Sequence, residues 1–173
     1  MNRKLNFIAA LLVLMVTLPV VAQLKTVKVT SPDLAIVFSL SIHGHQAEYT
    51  ISRNGKPVID PSFLGLTIND QKIGEGTAVT EVSHKSVDET YKTCGVHSIA
   101  VDRYNEMLFG INSNSPYQID VKVFNDGVAF RYVVANKGEA KVNADLTAFT
   151  IPLGSTIWSQ NDINSYEAKY QEQ

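Results

Sequence analysis

The chain is poor in the residues that usually staple or punctuate a fold. Of 173 residues one is cysteine, one is tryptophan and six are proline, and only 18% carry charge. A lone Cys94 excludes an intramolecular disulfide, so stability must come from a packed core. In the sequence Cys94 reads more readily as a small strand residue packed inside than as a nucleophile. Fifteen basic residues against seventeen acidic ones give a net charge of −2 with no basic stripe, which argues against nucleic acid as a partner. There is no phosphate-cradling glycine loop, no nucleophile elbow and no zinc-ligand spacing.

Long apolar runs are also missing, with one exception. Arg3 and Lys4 precede an apolar stretch from Phe7 to Val16, and Val20–Val21–Ala22 supplies small residues ahead of Gln23. That order is a secretory signal peptide over residues 1–22. The stretch is short for a membrane span and Pro19 interrupts it. No cysteine lies near the cleavage point to carry a lipid. Cleavage would remove Arg3 and Lys4, move the net charge to −4 and leave residues 23–173, the size of one domain. Such a domain buries about 70% of the surface its unfolded chain exposes. A periplasmic or secreted protein with no membrane segment after cleavage is expected.

What remains reads as strands. Leu34, Ile36, Phe38 and Leu40 alternate behind a Ser31–Pro32–Asp33 turn, and His43–Gly44–His45 marks the next reversal. Asn54–Gly55 is a strong hairpin signal, returning through Pro57–Val58–Ile59. Asp60–Pro61–Ser62 is expected to break the chain before an apolar strand from Phe63 to Ile68, and Asn69–Asp70 to open a loop. A strand is expected from Thr77 to Ser83, whereas Val87 to Cys94 shows no clean period. Val96, Ile99 and Val101 resume strand character, Met107 to Ile111 is apolar, and Asn112 to Pro116 is a turn. Tyr117, Ile119, Val121 and Val123 then alternate with polar residues and face Val128, Phe130, Tyr132 and Val134 across Asn125–Asp126–Gly127, residues that tolerate positive φ. Asp145 to Ile151 and Ser155 to Trp158 read as late strands, followed by polar loop. Many short strands without a helix argue for an all-β sandwich.

The chemistry-bearing residues form no compelling constellation. His43 and His45 would share a face on a continuous strand and chelate a metal, but a turn at Gly44 works against that. His84 and His97 would serve as acid or base only if they converged with a carboxylate. Glu48, Asp88, Glu89 and Glu106 are candidate glycosidase acids, although no spacing singles out a pair. Asp120, Lys122 and Arg131 are expected on a solvated face. Trp158, Tyr166 and Tyr170 would suit sugar stacking or core packing.

Three islands carry a more specific signal: Thr30–Ser31–Pro32–Asp33, Tyr104–Asn105–Glu106, and Phe124–Asn125–Asp126–Gly127 with Phe130–Arg131–Tyr132. In this order they resemble the N-terminal domain of glycoside hydrolase family 97, with a departure at Asp102–Arg103, where the family has an Asn-His-like pair. The resemblance implies an N-terminal β-supersandwich like the galactose mutarotase fold over residues 23–173, incomplete at its C-terminal end. It implies a secreted α-glucosidase or α-galactosidase with a bound calcium ion, whose catalytic acids and bases sit on a (β/α)8 barrel outside this chain. The barrel would then be the packing partner, an oligosaccharide the substrate of the whole enzyme, and this chain inactive alone. Within the segment from Trp158 to Tyr170, Glu167 of Ser165–Tyr166–Glu167 matches the family's calcium-ligating glutamate. The same residues also leave open a stand-alone carbohydrate-binding sandwich without catalysis, a mutarotase-like enzyme, or a purely structural surface sandwich.

Overall fold

The computed structural model describes residues 26–94, 96–135, 138–159 and 171–172. The expected signal peptide and Glu167 lie outside these residues. The described chain is all β, with no helix. The first sheet has the order β1-β2-β3-β4, formed by Val27–Thr30, Ile36–His43, Gln46–Arg53 and Lys56–Phe63. A small sheet follows, in which β5 (Leu66–Ile68) pairs with β6 (Gln71–Ile73) and with a later strand, Val142–Asp145. The second large sheet has the order β10-β9-β8-β7, from Val128–Val134, Tyr117–Phe124, Ile99–Asn112 and Ala78–Lys92. β11 is Val142–Asp145, and β12 (Trp158–Ser159) pairs with β13 (Gln171–Glu172). All named pairings are antiparallel.

Period-2 alternation turns one face of each large sheet inward. On β2, Ile36, Phe38, Leu40 and Ile42 are buried and their neighbours are not. They meet Phe109, Ile111, Ile119, Val121 and Val123 of the opposing sheet in one core. Phe38 lies at its centre, 5.5 Å from the Tyr49 ring and 6.1 Å from both Phe109 and Phe130.

Several local expectations change. Leu34 is not part of β2. It stands in the preceding turn at φ 63° and is 72% exposed, while its N–H closes the turn onto the Ser31 carbonyl at 2.9 Å. Asp60–Pro61–Ser62 does not break the chain, because β4 runs through it on the sheet edge. The register shifts opposite Thr50, so Pro61, which has no N–H, is bulged out of the ladder. The Ser62 hydroxyl repairs the irregularity, donating to the Asp60 carbonyl at 2.7 Å and accepting the Thr150 N–H at 2.8 Å. Asn69 (φ 49°) and Asp70 (φ 63°) form a tight hairpin turn between β5 and β6 rather than opening a loop.

Of the segment without a clean period, Val87 to Lys92 belongs to a single 15-residue strand, β7, paired with the 14-residue β8 around a bulge at Val82. β9 pairs with β8 only from Tyr104 to Ile111, so the rest of this hairpin projects as a two-stranded ribbon wetted on both faces. With no face to bury, alternation has no cause there. Cys94 sits exposed in the connection at its tip, not packed inside. Asn125, Asp126 and Gly127 turn without positive φ. The Phe124 N–H donates to the Gly127 carbonyl at 2.8 Å, leaving Asn125 and Asp126 as the two-residue tip.

The segment 146–150 runs along β4 and β5, with Leu146 N–H on the Gly65 carbonyl and Ala148 N–H on the Phe63 carbonyl, each at 2.9 Å. Two tyrosines fasten it to the core. Tyr49 donates its hydroxyl to the Ala148 carbonyl at 2.8 Å. The Tyr132 hydroxyl accepts the Gly65 N–H at 2.8 Å and lies 2.7 Å from the Thr147 hydroxyl. Burial pushes the Tyr49 phenol up to about 12, with the neighbouring Tyr132 as a smaller cause. Burial also raises Tyr132, against the opposing hydrogen bonds of Thr147 and Gly65.

Two outcomes follow from this packing. Leu34→Asn should raise unfolding stability in urea by about 1 kcal/mol, since the left-handed region penalises leucine and tolerates asparagine. Tyrosine ionisation should unlock the sandwich in alkali. A folded-state pKa above the unfolded value means the contribution is whole below pH 10 and lost as pH rises towards 12. A thermal melting series across that window should fall steeply for this chain and less so for Tyr49→Phe.

Candidate functional site

The three islands, far apart in sequence, meet at one end of the sandwich. Ser31 is fully buried after β1, where its hydroxyl accepts the Ile36 N–H at 2.9 Å and donates to Asp33 at 2.5 Å. The same Asp33 oxygen accepts the Ala35 N–H at 3.0 Å, and these two bonds, the serine first, hold its carboxyl below the usual range. The Asp33 N–H in turn donates to the Asn125 side-chain oxygen at 3.1 Å, joining the first island to the tip of the third. Asn105 of the second island donates to the Thr30 carbonyl at 2.8 Å and accepts the Ser86 hydroxyl at 2.6 Å. Tyr104 closes the triangle, its buried ring 5.1 Å from Phe124.

On the outer face of the second large sheet the cluster is charged. Lys122 donates to the Tyr104 hydroxyl at 3.1 Å and sits 4.4 Å from that ring's centre. The Tyr104 hydrogen bond is the main reason its ammonium pKa is raised. Glu106 lies 3.1 Å from Lys85 and 3.7 Å from Lys122. Asp120 departs from the solvated face expected of it: it is 5% exposed, and Arg131 places Nε at 2.9 Å and Nη2 at 2.8 Å on one oxygen. Its other oxygen is buried without a hydrogen-bond partner among the described residues. β9 is an interior strand of this sheet, and Asp120 stands in register between Leu108 of β8 and Arg131 of β10. Among the described residues, the bonds at this end of the sandwich fasten strands together.

The other candidates do not converge. Asp88 pairs with Arg103 at 3.0 Å on the ribbon, and Glu89, the next strand residue, points to the opposite face. Glu48 lies in the other sheet. His84 pairs in register with Met107, whereas His97 lies in the connection beyond Ile99, so roughly 26 Å of ribbon at about 3.3 Å per residue separates them. His43 ends β2 and His45 occupies the turn at φ 71°, which removes the shared strand face that chelation needs. No group of three or more His, Cys, Asp or Glu that could hold a metal occurs among the described residues. Trp158 is 62% exposed on β12, while Tyr166, Tyr170 and Glu167 lie outside the described residues. Sequence reasoning missed Asn105 as a staple between sheets. Its place between buried Tyr104 and the strand of Met107 and Phe109 was the available signal, since a polar residue there must point inward.

Asn105→Ala should cost about 1–3 kcal/mol in chemical denaturation, because the Thr30 carbonyl loses its donor. Ser86→Ala, which removes a bond at the exposed end of the same network, should cost less than half of that.

Comparisons with known proteins identify the family. The family model described as Glycosyl-hydrolase 97 N-terminal matches residues 29–173. A protein from Streptomyces bingchenggensis (strain BCW-1), named "Probable retaining alpha-galactosidase", is 31% identical over 128 residues, covering 68% of this chain and 20% of that protein. A retaining alpha-galactosidase from Bacteroides thetaiotaomicron is 27% identical over 156 residues, covering 89% of this chain and 23% of that one. A glycoside hydrolase family 97 enzyme from Pseudoalteromonas sp. strain K8, solved in complex with acarbose, superposes with a TM-score of 0.73 at 26% identity, over 85% of this chain and 24% of that enzyme. The chain thus spans about a fifth to a quarter of the length of these relatives. With the matched region taking in all three islands, the chain belongs to glycoside hydrolase family 97, as its N-terminal β-sandwich domain.

Proposed function

We propose that this chain is the non-catalytic N-terminal sandwich of an exported, calcium-dependent α-glycosidase, supporting a (β/α)8 barrel that carries the catalytic acids and bases. The observation that carries the reading is the family match over residues 29–173, joined to a fold whose charged and polar clusters at the island end are engaged with one another. Both curated relatives bear α-galactosidase names, which favours an α-galactoside over an α-glucoside as the substrate of the whole enzyme. Export rests on the basic, apolar and small-residue order of residues 1–22.

Calcium takes six to eight oxygen ligands, and the described residues hold no cluster able to supply them. They do not form a calcium site by themselves. In this reading the chain lends a single carboxylate, Glu167, and the remaining ligands come from the barrel. The sandwich contributes a fixed platform from which that carboxylate reaches its partner domain, and the chain alone turns nothing over.

The test is hydrolysis of aryl α-galactosides and α-glucosides by the chain expressed in continuity with a family barrel, with calcium and after chelation. Chelation should abolish turnover. Glu167→Gln should lower calcium affinity by at least about 10–100-fold, the range set by loss of even an outer partner of a metal ligand. Unchanged calcium binding by this variant would remove Glu167 from the ligand set, and turnover by the isolated chain would overturn the platform role.

A further inference from the structure

At the end of the sandwich opposite the three islands, the β2–β3 turn and the segment after β6 enclose an open groove. Two adjoining concavities of about 360 and 580 Å³ share His45 and Glu75 as a common wall, within the size range of small-ligand sites. Phe63 lines the larger one, and Asn112 the smaller. Phe63 pairs with Glu48 on the outward face of β4, so its ring faces away from the core and is 43% exposed. His43 and Gln46, which pair at the end of the β2–β3 hairpin, stand beside it.

The backbone beneath this groove is fixed. Gly76 N–H donates to the His45 carbonyl, Ala47 N–H to the Gly74 carbonyl and Thr77 N–H to the Asn112 carbonyl, each at 2.8 Å. Gly76 is pressed so closely on the core that an added Cβ would come within 2.5 Å of Ile111. His45 holds a left-handed φ of 71° beside Gly44 at 53°, a turn position that glycine or asparagine fills more easily. His45 therefore lines the groove from a conformation that does not favour histidine.

We propose that this groove is a saccharide-binding subsite. The lining suits a sugar ring. Its apolar C–H edge carries slight positive charge and would lie on the negative face of Phe63. Its hydroxyls, each both donor and acceptor, meet planar groups of the same dual character in Gln46, Asn112 and the histidines, with Glu75 as a strong acceptor. The identity of the ligand as a carbohydrate rests on the glycosidase reading above, whereas its place in the fold does not.

The test is amide-resolved NMR titration of the chain with panose and with melibiose. Saturable shifts confined to Gly44–Gln46, Phe63 and Glu75–Thr77 are expected with at least one of the two sugars. Phe63→Ala should weaken binding about tenfold, as should His45→Gly, the scale of one lost contact in a small site. His45→Gly separates binding from folding, because glycine relieves the positive φ and should leave the melting temperature unchanged or higher. Lys122→Ala, on the other sheet, should leave affinity unaltered. Absence of shifts, shifts centred elsewhere, or full affinity in His45→Gly would each overturn the subsite. A calcium-dependent glycosidase whose sandwich shows no such shifts would overturn it while leaving the family function intact.

Discussion

Phe38 and Tyr49 stack 5.5 Å apart on neighbouring strands of one sheet, and both rings meet Phe130 from the edge strand of the other. This aromatic layer is what the remaining contacts lean on. It is formed by side chains that reach across from both sheets, so neither sheet buries its apolar face without the other. With no disulfide available, burial of this layer and its aliphatic surround is the main source of stability. Tyr49 adds a polar end to an apolar body. Its ring belongs to the core while its hydroxyl holds the chain at Ala148, and Tyr132 does the same for Gly65 and Thr147. The strip 146–150 is thus attached through buried phenols.

The core also separates two surfaces of different character. At one end, turns and strand ends are tied by side-chain bonds that cross between sheets, from Asp33 to Asn125 and from Asn105 to Thr30. Glu106 there lies between two lysines. At the other end, the backbone is equally well bonded but the side chains of His43, His45, Gln46 and Glu75 open onto a groove. A well-fastened scaffold with an unengaged polar lining is the arrangement in which ligand binding costs little reorganisation. The family signature marks the fastened end, so its residues report how the domain is built more than what it touches.

Legibility followed the same division. Ile36 to Ile42 and Tyr117 to Val123 were readable because one face of each strand is buried and period 2 records that fact. The ribbon of β7 and β8 was not, since both faces meet water and no period is imposed. Pro61 read as a break because proline removes a ladder donor, yet an edge strand with a bulge accommodates it. Asp120 read as solvated from its place among alternating polar residues. Only the assembled sheet shows it buried, in register between Leu108 of β8 and Arg131 of β10.

The sequence by itself determined the all-β class, most reversals and the family, because alternation, turn residues and short motifs are local and survive without knowledge of partners. The tertiary structure decided which ends of the strands come together, and hence that residues about 75 and 92 positions apart form one cluster. It decided equally that His45, Phe63 and Glu75 share a groove. Those juxtapositions depend on strand order and register, which arise from the packing of two sheets on one core and are written in no single stretch of the chain.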